Sequence, residues 1–409
     1  MGRYAVRKIT AYRNRKREVE TMEHAEWKRG LLIAVSRPKE QAKGICRLTH
    51  AGMAAGAEDI GWLDKTKLDS RADGLPAEMQ ALLEKSIASG TASLVNTAYG
   101  SLEEWKSRLE REIPRKKRVH LLALGDVGST VLTALKLLGG DCISTLGIYD
   151  VNETVCQRWE CEMNQSAYPW EYDALPPVEI LREENLFACD MFVFCASKGI
   201  PPVGSGVQDV RMAQYEANKG IISHFAKKAV ESHFQGLFAV VSDPVDPLCR
   251  AALRAADGAL LPEQIQGYGL GVMNARAAYY AKKDVRFASF LTEGRAYGPH
   301  GADLVIANSI AQYDDALSRA LTQLAVEANL RTRELGFKPY IAPAISSAAI
   351  SLLLTLRGEW HYSSNFLGGI YMGCKNRSTP FGLETEILPL PEPLFARIRQ
   401  AAENLEAIQ

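Results

Sequence analysis

The run Ala123-Leu124-Gly125-Asp126-Val127-Gly128 has the glycine spacing of a turn that cradles a dinucleotide, G-x-G-x-x-G with alanine in its first place. Gly125 lets a pyrophosphate approach the backbone, and Gly128 lets a helix pack closely on a strand. The N-terminus of that helix offers positive potential to phosphate, beside Asp126 and Val127. Asp150 stands at the end of the next apolar run, where a carboxylate accepts hydrogen bonds from ribose hydroxyls. The same carboxylate repels a 2′-phosphate, so the expected cofactor is NAD rather than NADP. Alanine at position 123 puts a Cβ into the tight turn.

Such a turn works only between a strand and a helix. Residues 119–124 are largely apolar, and Val131, Leu132, Leu135 and Leu138 then recur at helical spacing until Gly139 and Gly140 stop the helix. Residues 143–149 make a second apolar run ending in Asp150, which completes a βαβ unit. Apolar runs at 191–196 and 237–242, with a helical stretch over 210–232 between them, continue the alternation of a doubly wound parallel sheet. Beyond about residue 262 the pattern changes to long helices over 315–335, 345–356 and 392–407, with short β-like pieces between. The expected fold class is α/β, a Rossmann doubly wound parallel sheet followed by an α+β C-terminal domain.

Residues 1–115 read as a separate N-terminal extension of unknown role. They hold a strand candidate at 31–35 and an amphipathic helix over 101–112, with Leu102, Trp105 and Leu109 on one face. Pro114 and the basic run 115–118 mark a boundary, so three units are expected: 1–115, a nucleotide-binding domain over 116–262, and a substrate domain over 263–409.

Bulk composition narrows the function classes. The 409 residues are 47% hydrophobic, and 48 basic side chains balance 48 acidic ones, so no overall field draws the chain onto nucleic acid or an anionic membrane. No apolar run approaches the roughly 20 residues that span a bilayer. The basic N-terminus lacks the apolar core of a secretory signal, and the eight cysteines are scattered without zinc-ligand spacing. Reduced thiols, a cytoplasmic location and no metal are the expectations.

Several pieces fall in an order that resembles the lactate/malate dehydrogenase family: GDVGST at 125–130, IYDVNE at 148–153, SDPVDPL at 242–248, GLGVMNARAAYY at 269–280 and GPHGAD at 298–303. The resemblance implies NAD, with Ser242 beside the cofactor, a small carboxylate substrate and a homo-oligomer. It also assigns roles. His300, in a Gly-Pro-His-Gly turn, would exchange the proton as hydride moves, and an imidazole with a pKa of about 6.5 can do this in either direction. Arg276 would clasp the substrate carboxylate with two parallel hydrogen bonds, and Arg211 would polarise the substrate carbonyl from a mobile loop. Residues 198–206, rich in glycine and proline, have the composition of a hinged lid.

Two positions depart from the family pattern. The aspartate that partners the catalytic histidine is Met273 here, and a thioether cannot stabilise an imidazolium. The asparagine that contacts substrate is Asp243, and a second negative charge near an anionic 2-oxo acid costs roughly 1 to 4 kcal/mol. Three arrangements would reconcile these changes. Asp243 could pair with His300, Asp243 could recognise a cationic group of an imine or amino-substituted acid, or Asp303 could be the partner. The leading expectation is an NAD-dependent oxidoreductase acting on a small 2-hydroxy, 2-oxo or imino carboxylate. A nucleotide-binding sensor or partner protein that no longer catalyses is the main alternative. An NAD-dependent glycoside hydrolase is a third, weakened by the lack of a Cys/His metal pair.

Overall fold

The computed structural model of the chain describes residues 7–13, 19–27, 30–198 and 210–408. Its N-terminal part contains β1 (Arg7–Arg13), β2 (Val19–Trp27), β3 (Gly30–Val35), β4 (Ile45–Arg47), α1 (Lys65–Ala72), α2 (Ala77–Ala88), β5 (Ala92–Asn96) and α3 (Leu102–Leu109). Then follow β6 (Lys117–Leu122), α4 (Asp126–Leu138), β7 (Ile143–Tyr149), α5 (Glu153–Asn164), β8 (Val178–Ile180), β9 (Met191–Phe194), α6 (Val210–Glu231), β10 (Leu237–Val240), α7 (Val245–Ala255) and β11 (Ile265–Gly267). The remainder is α8 (Leu270–Ala281), α9 (Phe290–Glu293), β12 (Arg295–Tyr297), β13 (Val305–Ala307), α10 (Asp315–Glu334), a π-helical turn (Pro343–Ala349), α11 (Ile350–Arg357), β14 (His361–Leu367), β15 (Ile370–Thr379), β16 (Gly382–Thr385) and α12 (Glu392–Ile408).

Strands β8, β7, β6, β9, β10 and β11 lie side by side and all parallel. This is the doubly wound Rossmann order, with its crevice between β6 and β9, where the order of strand addition reverses. Helices cover both faces, so the central strands are apolar on both sides. Met191, Phe192, Val193 and Phe194 are all buried, split between two cores.

The sheet does not stop at β11. It continues antiparallel through β14, β15 and β16, and β16 then pairs with β4, so that β5, β3, β2 and β1 extend the same sheet to fourteen strands among the described residues. Leu31, Leu68 and Leu83 share one buried core with Met372, Leu394, Ile398 and Leu405. Partly buried Glu263 accepts the backbone N–H groups of Gly44 and Ile45 at 2.9 Å each, and Trp105 Nε1 donates to Asn96 O at 3.1 Å. The N-terminal segment is thus built into the fold by backbone pairing, apolar burial and a carboxylate bridge.

Buried at the start of β14, His361 has Nε2 2.9 Å from Thr355 Oγ1 and Nδ1 3.0 Å from the carbonyl of Glu359. Burial pushes the imidazole down to about 4. A histidine that stays neutral when folded but gains a proton near pH 6.5 when unfolded contributes stability above that pH, which is lost as pH falls from about 6.5 towards 4. The loss is expected to approach about 3 kcal/mol. In urea unfolding at a series of pH values, His361→Gln should flatten the acid limb, and an unchanged slope would count against this origin.

Candidate active site

Seen from the sheet, the candidate residues gather at the carboxyl ends of β6, β7 and β10. After β6 the chain turns at Ala123, whose φ of 72° lies in the left-handed region that glycine adopts freely. The Ala123 N–H donates to Tyr149 O at 2.8 Å, which locks the turn to β7. Gly125 caps α4 without a side-chain bond, and a Cβ there would meet nothing within 4 Å, so the uncapped N-terminus presents an open backbone face. At Gly128 a Cβ would come 1.9 Å from the Ala123 carbonyl oxygen, so only glycine lets α4 lie this close to the strand. Asp150 Oδ2 accepts the Leu124 N–H at 2.8 Å and Oδ1 accepts the Asn152 N–H at 3.0 Å. Each oxygen keeps a further lone pair, enough for ribose hydroxyls. Asp126 pairs with Lys338 at 3.1 Å, Val127 packs on the core under α4, and Ser242 turns inward to donate to Ala196 O at 2.8 Å. An open glycine face, an uncapped helix N-terminus and a carboxylate on the second strand fit a dinucleotide.

The left-handed alanine is testable. Ala123→Gly should raise stability by about 1 kcal/mol, because relief of the strained φ exceeds the added chain entropy. Urea unfolding reads the change, and a lower midpoint would contradict it.

The second cluster comes from three segments. Asp243 follows β10, joined to Pro244 by a cis peptide bond, and α7 then begins with Asp246 in its first turn. β12 leads into the Gly298-Pro299-His300-Gly301 turn, and α8 carries Met273 and Arg276 one turn apart. His300 Nε2 lies 2.7 Å from Asp243 Oδ1, with Asp243 half-exposed and the imidazole more enclosed. A Cβ on Gly269 would stand 2.5 Å from His300 Nδ1, so the bare N-terminus of α8 is what admits the ring. Met273 is buried, and Arg276 Nη1 approaches its sulfur at 3.4 Å. Burial pulls the Arg276 guanidinium below its ordinary range, while Tyr280 and Asp243 oppose that pull. Asp303 is engaged elsewhere, accepting Asn404 Nδ2 at 2.8 Å.

The structure therefore brings His300, Asp243 and Arg276 together, with Gly125, Asp126, Val127, Gly128, Asp150 and Ser242 along the adjoining strand ends. Arg211 belongs to the first turn of α6, but its side chain lies outside the described residues, as do residues 199–209 of the suspected lid.

Sequence reasoning missed two supports. Buried Asn218 donates to Asp243 O at 2.8 Å and accepts the Lys198 N–H at 2.9 Å, tying the loops after β9 and β10. Asp246 is buried beneath the pair. Burial pushes its carboxyl up to about 6, His300 and the Ser364 hydroxyl draw it down, and Asp243 adds to the rise. Its place in the Asp-Pro-Val-Asp string was the available signal.

No family model matches the chain. Among curated proteins it is similar to an L-lactate dehydrogenase of Treponema denticola, 27% identical over 187 residues, covering 46% of this chain and 56% of that enzyme. The aligned stretch thus spans little more than half of that relative. A malate dehydrogenase of Sulfurimonas denitrificans is 25% identical over 271 residues, covering 62% of this chain and 81% of its own. Among solved structures, an L-lactate dehydrogenase of Enterococcus mundtii superposes with a TM-score of 0.60 at 18% identity, covering 72% of this chain and 98% of that one. The malate dehydrogenase of Archaeoglobus fulgidus in complex with NADH gives 0.58 at 18%, covering 71% and 98%. In motif order, sequence and fold the chain is similar to the lactate and malate dehydrogenases.

Proposed function

We propose that the protein is an NAD-linked dehydrogenase that acts on a small carboxylate substrate at a carbon–oxygen or carbon–nitrogen bond. The observation that carries this reading is the 2.7 Å contact between His300 Nε2 and Asp243 Oδ1, which supplies a carboxylate to the imidazole although position 273 has none. A binding-only protein would need no such partner. When bound, the nicotinamide cofactor supplies or takes up hydride; the open turn at Gly125 and the Asp150 carboxylate are the groups that would hold it.

The chain's own residues do the rest. Arg276 binds the substrate carboxylate, since among the described residues no carboxylate stands within ion-pair distance of its guanidinium. His300 holds or releases the proton at Nε2, and Asp243 favours the charged imidazole beside it. Asn218 holds the Asp243 backbone in place through its carbonyl. Arg211 is proposed to polarise the reacting bond from the start of α6. We place the enzyme in the cytoplasm as a homo-oligomer. All eight cysteines are unpaired, no helix among the described residues is long and apolar enough to cross a membrane, and closed symmetry is the commonest arrangement of such enzymes.

NADH binding followed by fluorescence, then NADH oxidation against a panel of 2-oxo acids with and without ammonium, tests the reading. Turnover with one member, reduced at least a hundredfold in Arg276→Ala, is the expected result. NADH binding with silence across the panel would leave a nucleotide-binding protein instead.

A further inference from the structure

The glycine turn after β6 carries an acid where a dinucleotide would bring more negative charge. Asp126 is the first residue of α4, next to the open face at Gly125 and the uncapped helix N-terminus. A carboxylate in that turn repels a pyrophosphate. The helix end offers only about half a unit of positive charge, too little to offset a full negative one.

The compensating charge comes from far along the chain. Lys338 Nζ lies 3.1 Å from Asp126 Oδ2, across 212 residues of sequence. The backbone that carries this lysine is fixed on both sides. Where α10 ends, Gly336 adopts a φ of 85°, and the Gly336 and Phe337 N–H groups donate to Arg333 O at 2.9 Å and Thr332 O at 3.2 Å. Beyond it, the Tyr340 N–H donates to Lys338 O at 3.1 Å and the Ala344 N–H to Tyr340 O at 3.0 Å, which leads into the π-helical turn. That turn and α11 place Ala344, Ala348 and Leu352 in one buried core with Leu124, Val131 and Leu132, which flank the glycine turn. Core packing therefore holds the Lys338 segment against the nucleotide half.

An exposed ion pair adds little to folding stability. Lys338 is mostly exposed and Asp126 half-exposed, and an ammonium has three donors, of which Asp126 takes one. The pair can thus accept an anion without breaking.

We propose that Lys338 is a cofactor-binding residue, which neutralises Asp126 and donates a charge-assisted hydrogen bond to the dinucleotide pyrophosphate at the N-terminus of α4. This rests on the dinucleotide reading above and adds a ligand from the C-terminal half of the chain. With the ammonium cancelling the carboxylate, the helix end and the glycine backbone are left to favour phosphate.

NADH fluorescence on the full-length chain tests this. Lys338→Gln should raise the NADH dissociation constant about tenfold, and Lys338→Arg, which keeps the charge, should recover most of the loss. Asp126→Asn should tighten binding, and adding it to Lys338→Gln should restore part of the affinity that the single variant loses. ADP-ribose, which keeps the pyrophosphate and lacks the nicotinamide, should show the same loss when it displaces NADH. The difference between wild type and Lys338→Gln should shrink as salt is added, because exposed charges are screened. A change of less than about threefold in Lys338→Gln at low salt overturns the proposal, as does a loss that salt leaves unaltered. Wild-type NADH binding that Lys338→Gln does not move leaves the dinucleotide reading standing, whereas no NADH binding by the wild-type chain overturns both.

Discussion

His300→Ala is expected to lower kcat/KM by about 10²- to 10⁴-fold while leaving the NADH dissociation constant within about twofold. An imidazole can gain and lose a proton near neutral pH, and its partner Asp243 lies 2.7 Å away. The nucleotide turn is built from separate segments after β6 and β7, so removing the ring should not disturb it. Steady-state rates and NADH fluorescence on the same preparation check both halves. A fall of less than tenfold would show that another group moves the proton. His300→Gln tests the same point with less packing loss, because it keeps a polar side chain over Gly269 but cannot titrate.

Leu394→Ala should destabilise the fold by about 2 to 5 kcal/mol, the range for a fully buried leucine whose cavity is only partly refilled. Leu394, in the first turns of α12, is fully buried in the core that also holds Leu31, Leu68 and Leu83 of the N-terminal segment. The loss should therefore spread across that shared core. Hydrogen exchange is expected to quicken in β3 and β5 as well as in α12, and chemical unfolding should remain a single transition. Unchanged protection in β3 and β5 would mean that the N-terminal segment folds independently, despite its strand pairing with β16.

Much of the nucleotide half was legible because its signals are local. A parallel strand buried on both faces must be a short apolar run, and a helix packed on it must repeat apolar residues at helical spacing. A phosphate turn must place glycine where a Cβ would strike the strand, as it would at Gly128. The runs at 119–124, 143–149, 191–196 and 237–242 accordingly fall on β6, β7, β9 and β10 within a few residues. The N-terminal part showed only β3 and α3 in advance. Of its remaining strands, β4 has only three residues and pairs with β16 far along the chain, while the neighbouring antiparallel strands β1 and β2 are rich in charged residues and lack a clear apolar alternation.

The site divides along the same line. From its residues alone the chain determined a dinucleotide turn with one strained alanine, a carboxylate at the second strand end, and, through ordered motifs, which histidine and arginine to examine. Only the tertiary structure decided among the partners for His300. Asp243, Met273 and Asp303 sit in three different segments, and it is the packing of β10, α8 and the turn after β12 that brings Asp243 to Nε2, buries Met273 and sends Asp303 to Asn404. The same packing decided that residues 30–109 extend the sheet and share its core. The physical reason is common to both: periodicity and turn chemistry act over a few residues, whereas an ion pair or a shared core depends on distances that exist only after the chain has folded.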